Sequence, residues 1–132
     1  GREGIREGVR QGRGWFPGRV VAGGHSYGGR QTSMAVAEDP HLATRLLLMS
    51  YPLHPPGKPD NLRTEHWPNI RIPTLFVHGA RDAFGTIDEL RLAIQLITAK
   101  VTLEVIESAG HDLGRPVPKT AAKIVEALAA LP

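Results

Sequence analysis

The chain has 132 residues, enough for one domain rather than two, and 41% of them are hydrophobic, a balance typical of globular rather than disordered proteins. Its net charge of +3 comes from scattered Lys and Arg with no basic block and no basic-aromatic interleaving, which argues against nucleic acid as a partner. Cysteine is absent, so the chain can form no disulfide and do no thiol chemistry, and a reducing, cytoplasmic setting is expected; no apolar run approaches the length of about 18 residues that spans a membrane.

In chain order, Ile5 and Val9 lie four apart among charges, which predicts a short helix over residues 2–11, weakened by Gly4 and Gly8 inside it and Gly12 just beyond on the same face. The run Arg19-Val20-Val21-Ala22-Gly23 reads as a short buried strand, and residues 28–38 as a helix stopped by Asp39-Pro40. Residues 45–50 are almost continuously apolar, as in a strand covered on both faces. Residues 51–72 hold five prolines and no helical period, which predicts a long loop. Residues 73–79 form a third strand. Thr86-Ile87-Asp88-Glu89 matches a capping box opening a helix whose buried stripe is Ile87, Leu90, Ile94 and Ile97. Residues 101–106 alternate as an edge strand does, and Pro118 opens a last helix with Ala121, Ile124, Val125 and Leu128 turned inward. Strands alternating with helices predict an α/β fold: a three-layer parallel sheet of about four strands with helices on both faces, forming a single domain over residues 1–132. Sites in such sheets gather beyond the carboxyl ends of the strands.

The stretch Gly24-His25-Ser26-Tyr27-Gly28 falls where the first strand meets the next helix and satisfies G-x-S-x-G. In that turn, side chains two before and two after the serine are expected to collide with backbone, so glycine is needed at both places. The serine then takes a strained conformation that lifts its hydroxyl off the sheet. The N–H of Tyr27, at the helix N-terminus, is placed to bond the negative oxygen of a tetrahedral intermediate. A plain glycine-rich turn is the bland alternative, and the Walker and G-x-G-x-x-G phosphate patterns are absent. An activated serine needs a base, and the base an orienting acid, in the order Ser, Asp or Glu, His. Asp82 follows the third strand and His111 the fourth, so order and placement match. Asp88 and Glu89 are explained by helix capping, and Asp112 adjoins the base and would point elsewhere. His25 is expected to line the pocket or pack beneath it, His78 to be structural, and His41, His54 and His66 to lie in loops. No His pair has metal-ligand spacing, so neither metal nor cofactor is expected.

These motifs carry a family resemblance. The segments GGHSYGGRQTSMAVAEDP, LLLMSYPLHPPGKP, RIPTLFVHGARDAFGTIDEL and VIESAGHDLG resemble the α/β-hydrolase superfamily, most of all its bacterial KANL3/Tex30-like, dienelactone-hydrolase-like branch. The resemblance implies a serine hydrolase acting on an ester or related carbonyl, with Ser26 as nucleophile, Asp82 as acid and His111 as base. It also implies that the chain matches the C-terminal half of that fold. The first four strands, and the loop that normally gives a second oxyanion donor, would lie outside it; with no initiator Met, the chain reads as truncated. The first strand here would then have a bare edge, at which a homodimer is one way to cover it. The loop over residues 51–72 sits where relatives often place a cap, with Tyr51, Leu53 and Trp67 available to contact an apolar acyl group; an ordinary proline-stiffened connection is the alternative. A hydrolase-like module that binds other proteins without catalysis remains the second functional reading.

Overall fold

The structure, a computed structural model, describes residues 19–113 and 118–132. The helix expected over residues 2–11 lies outside the described residues. Elements follow in the order β1 (Val21–His25), α1 (Tyr27–Glu38), β2 (Arg45–Met49), β3 (Thr74–Gly79), α2 (Ile87–Ala93), β4 (Val101–Ile106) and α3 (Pro118–Ala130). One 3-10 turn, Trp67–Asn69, interrupts the long connection after β2, and a second, Ile94–Leu96, tightens the end of α2. Among the described residues the sheet has four parallel strands in sequence order, with β1 and β4 at its edges. β1 begins and ends two residues later than the composition suggested, because its pairing with β2 runs from Val21↔Arg45 to His25↔Met49.

Strand alternation sorts the core into two layers. Leu46, Leu48 and Phe76 face one side, where they meet Ala35 and Val36 of α1 and Leu90 and Ala93 of α2. Leu75 and Val77 face the other, with Leu131 and the partly buried Leu47, Met49, Ile106, Ile124, Ala127 and Leu128 around them. This arrangement follows from handedness. Parallel connections are right-handed, so successive crossovers moving one way across a sheet stay on the same face. α3, after the last strand, returns to cover the opposite face. The capping box of α2 forms as expected, with the Glu89 N–H donating to Thr86 Oγ1 (3.1 Å) and the Thr86 N–H donating to Glu89 Oε1 (2.8 Å).

Two expectations about helix faces are corrected. Val125 is 66% exposed and Ala121 is exposed as well. α3 meets the sheet through Ile124, Ala127 and Leu128, and Val125, about 100° further round the helix, is turned away from that contact. There it borders an apolar groove of about 280 Å³ that Arg19, Val21, Arg45, Leu128 and Ala129 also line. Of the stripe expected on the capping-box helix, Leu90 and Ile97 are buried, whereas Ile87, at the first residue of α2, and Ile94, where the helix gives way to the 3-10 turn, are only half-buried.

The connection over residues 51–72 fills the layer between α1 and α2. Tyr51, Leu53, Trp67 and Ile70 have no exposed surface, and Tyr51 and Trp67 pack edge to face with ring centroids 5.0 Å apart. Polar pins hold it at both flanks. On the α1 side, Ser33 Oγ donates to the Arg30 carbonyl (2.7 Å), which leaves His66 Nε2–H to donate to Ser33 Oγ (2.6 Å). On the α2 side, His54 Nε2 donates to Glu89 Oε1 (2.9 Å) and His54 Nδ1 lies 2.7 Å from the Pro55 carbonyl. Burial pushes the Tyr51 hydroxyl above its usual range.

Burial, helped by the Arg30 charge, lowers the His66 pKa to about 4. The folded protein therefore binds that proton less readily than the unfolded chain, whose His titrates near 6.5. Stability from this group is complete above about pH 6.5 and declines as pH falls toward 4. His66→Gln, which keeps an N–H donor but cannot charge, is expected to flatten that decline in urea unfolding followed between pH 7 and pH 4.

The glycines of the β1–α1 turn are not equivalent. A Cβ on Gly24 would lie 2.6 Å from the backbone of Gly28 and Gly29, and one on Gly29 would lie 2.8 Å from the Gly24 carbonyl oxygen. A Cβ on Gly28 would meet nothing within 4 Å. The obligatory pair in this turn is thus Gly24, as expected, and Gly29, one position beyond the expected Gly28, because the first turn of α1 sits directly on the end of β1. Gly28→Ala is expected to leave the fold intact and to add up to about 0.5–1 kcal/mol by removing a glycine from a helix. Gly24→Ala and Gly29→Ala are expected to destabilise, and thermal unfolding of the three variants distinguishes the cases.

Candidate active site

Ser26 stands between β1 and α1 with φ 55° and ψ −125°, a conformation rare for a residue with a side chain. Its N–H donates to the Met49 carbonyl at the end of β2 (2.8 Å), and its carbonyl accepts from the Arg30 N–H to start the helix (3.1 Å). Serine in this place ordinarily caps the helix through its hydroxyl. Here the side chain makes no cap bond, and Oγ instead lies 2.6 Å from His111 Nε2. Tyr27 is the first residue of the helix, so no preceding turn supplies a carbonyl for its N–H.

Asp82 lies in the turn after β3. That turn is joined to the one after β4 by two backbone bonds, the Ala80 N–H to the Ile106 carbonyl (3.1 Å) and the Arg81 N–H to the Ala109 carbonyl (3.0 Å). The approach is close enough to require glycine at the end of β3: a Cβ on Gly79 would lie 2.4 Å from the Gly110 oxygen and 2.5 Å from that of Ala109. The Asp82 carboxylate is fully buried. Oδ1 accepts the Phe84 N–H (2.7 Å), and Oδ2 accepts from His111 Nδ1 (2.8 Å). His111 thus carries its proton on Nδ1 and offers the Nε2 lone pair to the Ser26 hydroxyl. The His111 side chain is 25% exposed and Ser26 is half-buried, so the line runs from a buried carboxylate toward solvent. Asp82, His111 and Ser26 form one continuous hydrogen-bonded line across the carboxyl edge of the sheet, and such a line can draw a proton from a hydroxyl that attacks a carbonyl carbon.

Several neighbours set this geometry. The Phe84 ring lies against His111 with centroids 4.2 Å apart and planes inclined by 30°. His78 is fully buried beneath the acid turn, where Nε2 donates to the Gly85 carbonyl (2.7 Å) and sits 3.7 Å from Asp82 Oδ2. The connection after β2 reaches the same turn through the His54 N–H, which donates to the Phe84 carbonyl (3.0 Å). His25 is exposed, and its Nε2 is 3.0 Å from the backbone carbonyl of His111.

The remaining expected site residues do not join this group. Tyr51, Leu53 and Trp67 were expected at an acyl pocket, but they are wholly buried in the layer between α1 and α2 and have no surface to offer a ligand. The tendency of large apolar side chains to leave water outweighs any role suggested by their place in a loop. Glu89, besides capping α2, lies against His54, and that imidazole, together with the Thr86 N–H, holds its carboxyl below the ordinary range. Phe84 escaped notice because nothing local marks a phenylalanine two residues after an aspartate as the partner of a distant histidine. Among the described residues no group of three or more His, Cys, Asp or Glu is placed to hold a metal ion, and no helix is long and apolar enough to cross a membrane.

Solved structures share this architecture. An alpha-beta serine hydrolase homologue from Coxiella burnetii superposes with a TM-score of 0.73 at 16% identity, covering 96% of this chain and 58% of its own. The esterase domain of a Rhodothermus marinus protein gives 0.71 at 18% identity, covering 98% and 66%. A dienelactone hydrolase from Anabaena variabilis gives 0.60 at 23% identity, covering 83% and 48%. The chain therefore spans about half to two thirds of the length of these structures. Residues 5–129 match the alpha/beta hydrolase domain family, and the chain belongs to that family.

Proposed function

We propose that the protein is a serine hydrolase that cleaves an ester or a related carbonyl substrate through an acyl-enzyme. One observation supports this reading above the others: the unbroken line from Asp82 Oδ2 to His111 Nδ1 (2.8 Å) and from His111 Nε2 to Ser26 Oγ (2.6 Å). In the proposed reaction His111 Nε2 takes the Ser26 proton as Oγ bonds to the carbonyl carbon. Asp82 keeps the ring in the productive tautomer and stabilises its positive form. The Tyr27 N–H supports the oxyanion of the tetrahedral intermediate. Collapse of that intermediate expels the alcohol, which carries away the proton held on His111. Water then attacks the acyl-Ser26 carbonyl, giving its proton to His111, and the second collapse returns that proton to Ser26 Oγ and frees the acid. The segments YPLHPPG and HGARDAFG resemble the dienelactone-hydrolase-like branch, and ester, thioester, lactone and peptide are all substrates this chemistry can serve.

A second reading, a hydrolase-like module that binds other proteins without catalysis, draws on the place of β1 at the edge of the sheet among the described residues and on the apolar groove that Val21 lines. A fluorophosphonate probe separates the two. Labelling of wild type that is lost in Ser26→Ala supports the enzyme, whereas folded wild type that resists the probe favours the module. With a short-chain nitrophenyl ester, Ser26→Ala and His111→Ala are each expected to lower kcat by up to about a million-fold, the scale seen when a triad member is removed. Equal turnover by wild type and both variants would end the hydrolase reading.

A further inference from the structure

We propose that His25 is a positioning residue for His111, holding the main chain of the base against the elbow that carries Ser26. This assignment rests on the hydrolase reading. His25 Nε2 lies 3.0 Å from the carbonyl oxygen of His111. A carbonyl only accepts, so His25 donates, and its neutral ring is the Nε2–H tautomer. That is the opposite tautomer to His111, which carries its proton on Nδ1 for Asp82. The two rings stand 5.8 Å apart and inclined by 51°, so an edge nitrogen makes the contact rather than a stacked face.

The value of this bond lies in where each end is anchored. His25 is the last residue of β1, paired with Met49 of β2, and is adjacent to the serine. His111 sits in a turn beyond β4, at the far edge of the sheet. Asp82 and Phe84 both act on its ring, one on Nδ1 and the other on a face. The bond from His25 acts on its backbone. A ring can be well oriented and still stand too far from its target if the main chain beneath it drifts. The His25 bond fixes that distance from the serine's own side. Displacements of about 1 Å at a reacting pair can cost on the order of 100-fold in rate. Because His25 is exposed, its loss removes this bond without opening the core.

The test uses the whole chain with a nitrophenyl acetate assay, a fluorophosphonate labelling assay, thermal unfolding and 15N NMR of the imidazoles. His25→Ala is expected to lower kcat and the labelling rate about ten- to hundredfold, with KM and melting temperature unchanged. His25→Gln, whose amide N–H reaches where Nε2 stands, is expected to recover most of the loss. The 15N shifts of His25 in wild type are expected to report the Nε2–H tautomer. Wild-type kcat in His25→Ala, equal impairment of the Ala and Gln variants, or an Nδ1–H tautomer at His25 would each overturn the assignment while leaving the hydrolase reading in place. Wild type that neither turns over the ester nor takes the label, like Ser26→Ala, would overturn both.

Discussion

The site depends on a reach across the sheet. Adjacent strands lie about 4.8 Å apart, so the strand before His111 is separated from the strand before Ser26 by roughly 14 Å, with β2 and β3 between them. Parallel register brings the carboxyl ends of all four strands to one edge, but it leaves that lateral distance unspanned. The turn after β4 spans it by leaning back over its neighbour. The Arg81–Ala109 backbone bond and the absence of a Cβ at Gly79 let the two turns interlock, and Asp82 and Phe84 then prop the imidazole from below and from the side. At the other end Ser26 rises to meet it, because its backbone is held in a strained turn closed by direct contact between Gly24 and Gly29.

The strain at Ser26 has a compensating source nearby. A serine at φ 55° is retained only if the surroundings over-determine it. Here β1 is fixed by its pairing with β2, the Ser26 N–H is fixed by Met49, and the first turn of α1 rests on Gly24. The same strain removes the hydroxyl from its usual capping duty and turns it toward the imidazole. The structural cost and the chemical use are thus one feature.

Much of this was legible in the chain itself. The apolar runs at 45–50 and 73–79, the Asp39-Pro40 stop and the Thr86-to-Glu89 capping box are local signals, and local physics decides them. The candidate triad was legible because its members follow strands in a fixed order, which requires topology but no distances. What could not be read depends on contacts between segments far apart. The second glycine of the pair fell at Gly29 rather than Gly28 because collision depends on how α1 sits on β1. Val125 turned outward because α3 meets the sheet through Ile124, Ala127 and Leu128, a contact that the apolar periodicity alone does not single out. Tyr51, Leu53 and Trp67 went inward because a connection without helical period can still fill a helix-sized gap, and nothing in five prolines reveals that the gap exists.

The two pins on that connection answer to acid in opposite senses. His54 loses some basicity to burial, but its bonds to Glu89 and to the Pro55 carbonyl outweigh that and raise its pKa, so gaining a proton tightens its hold on α2. His66, buried and beside Arg30, resists the same event, because burial and that positive charge both disfavour a charged ring. On acidification the two flanks of the segment therefore take up protons in separate steps, the α2 side first and the α1 side only toward pH 4.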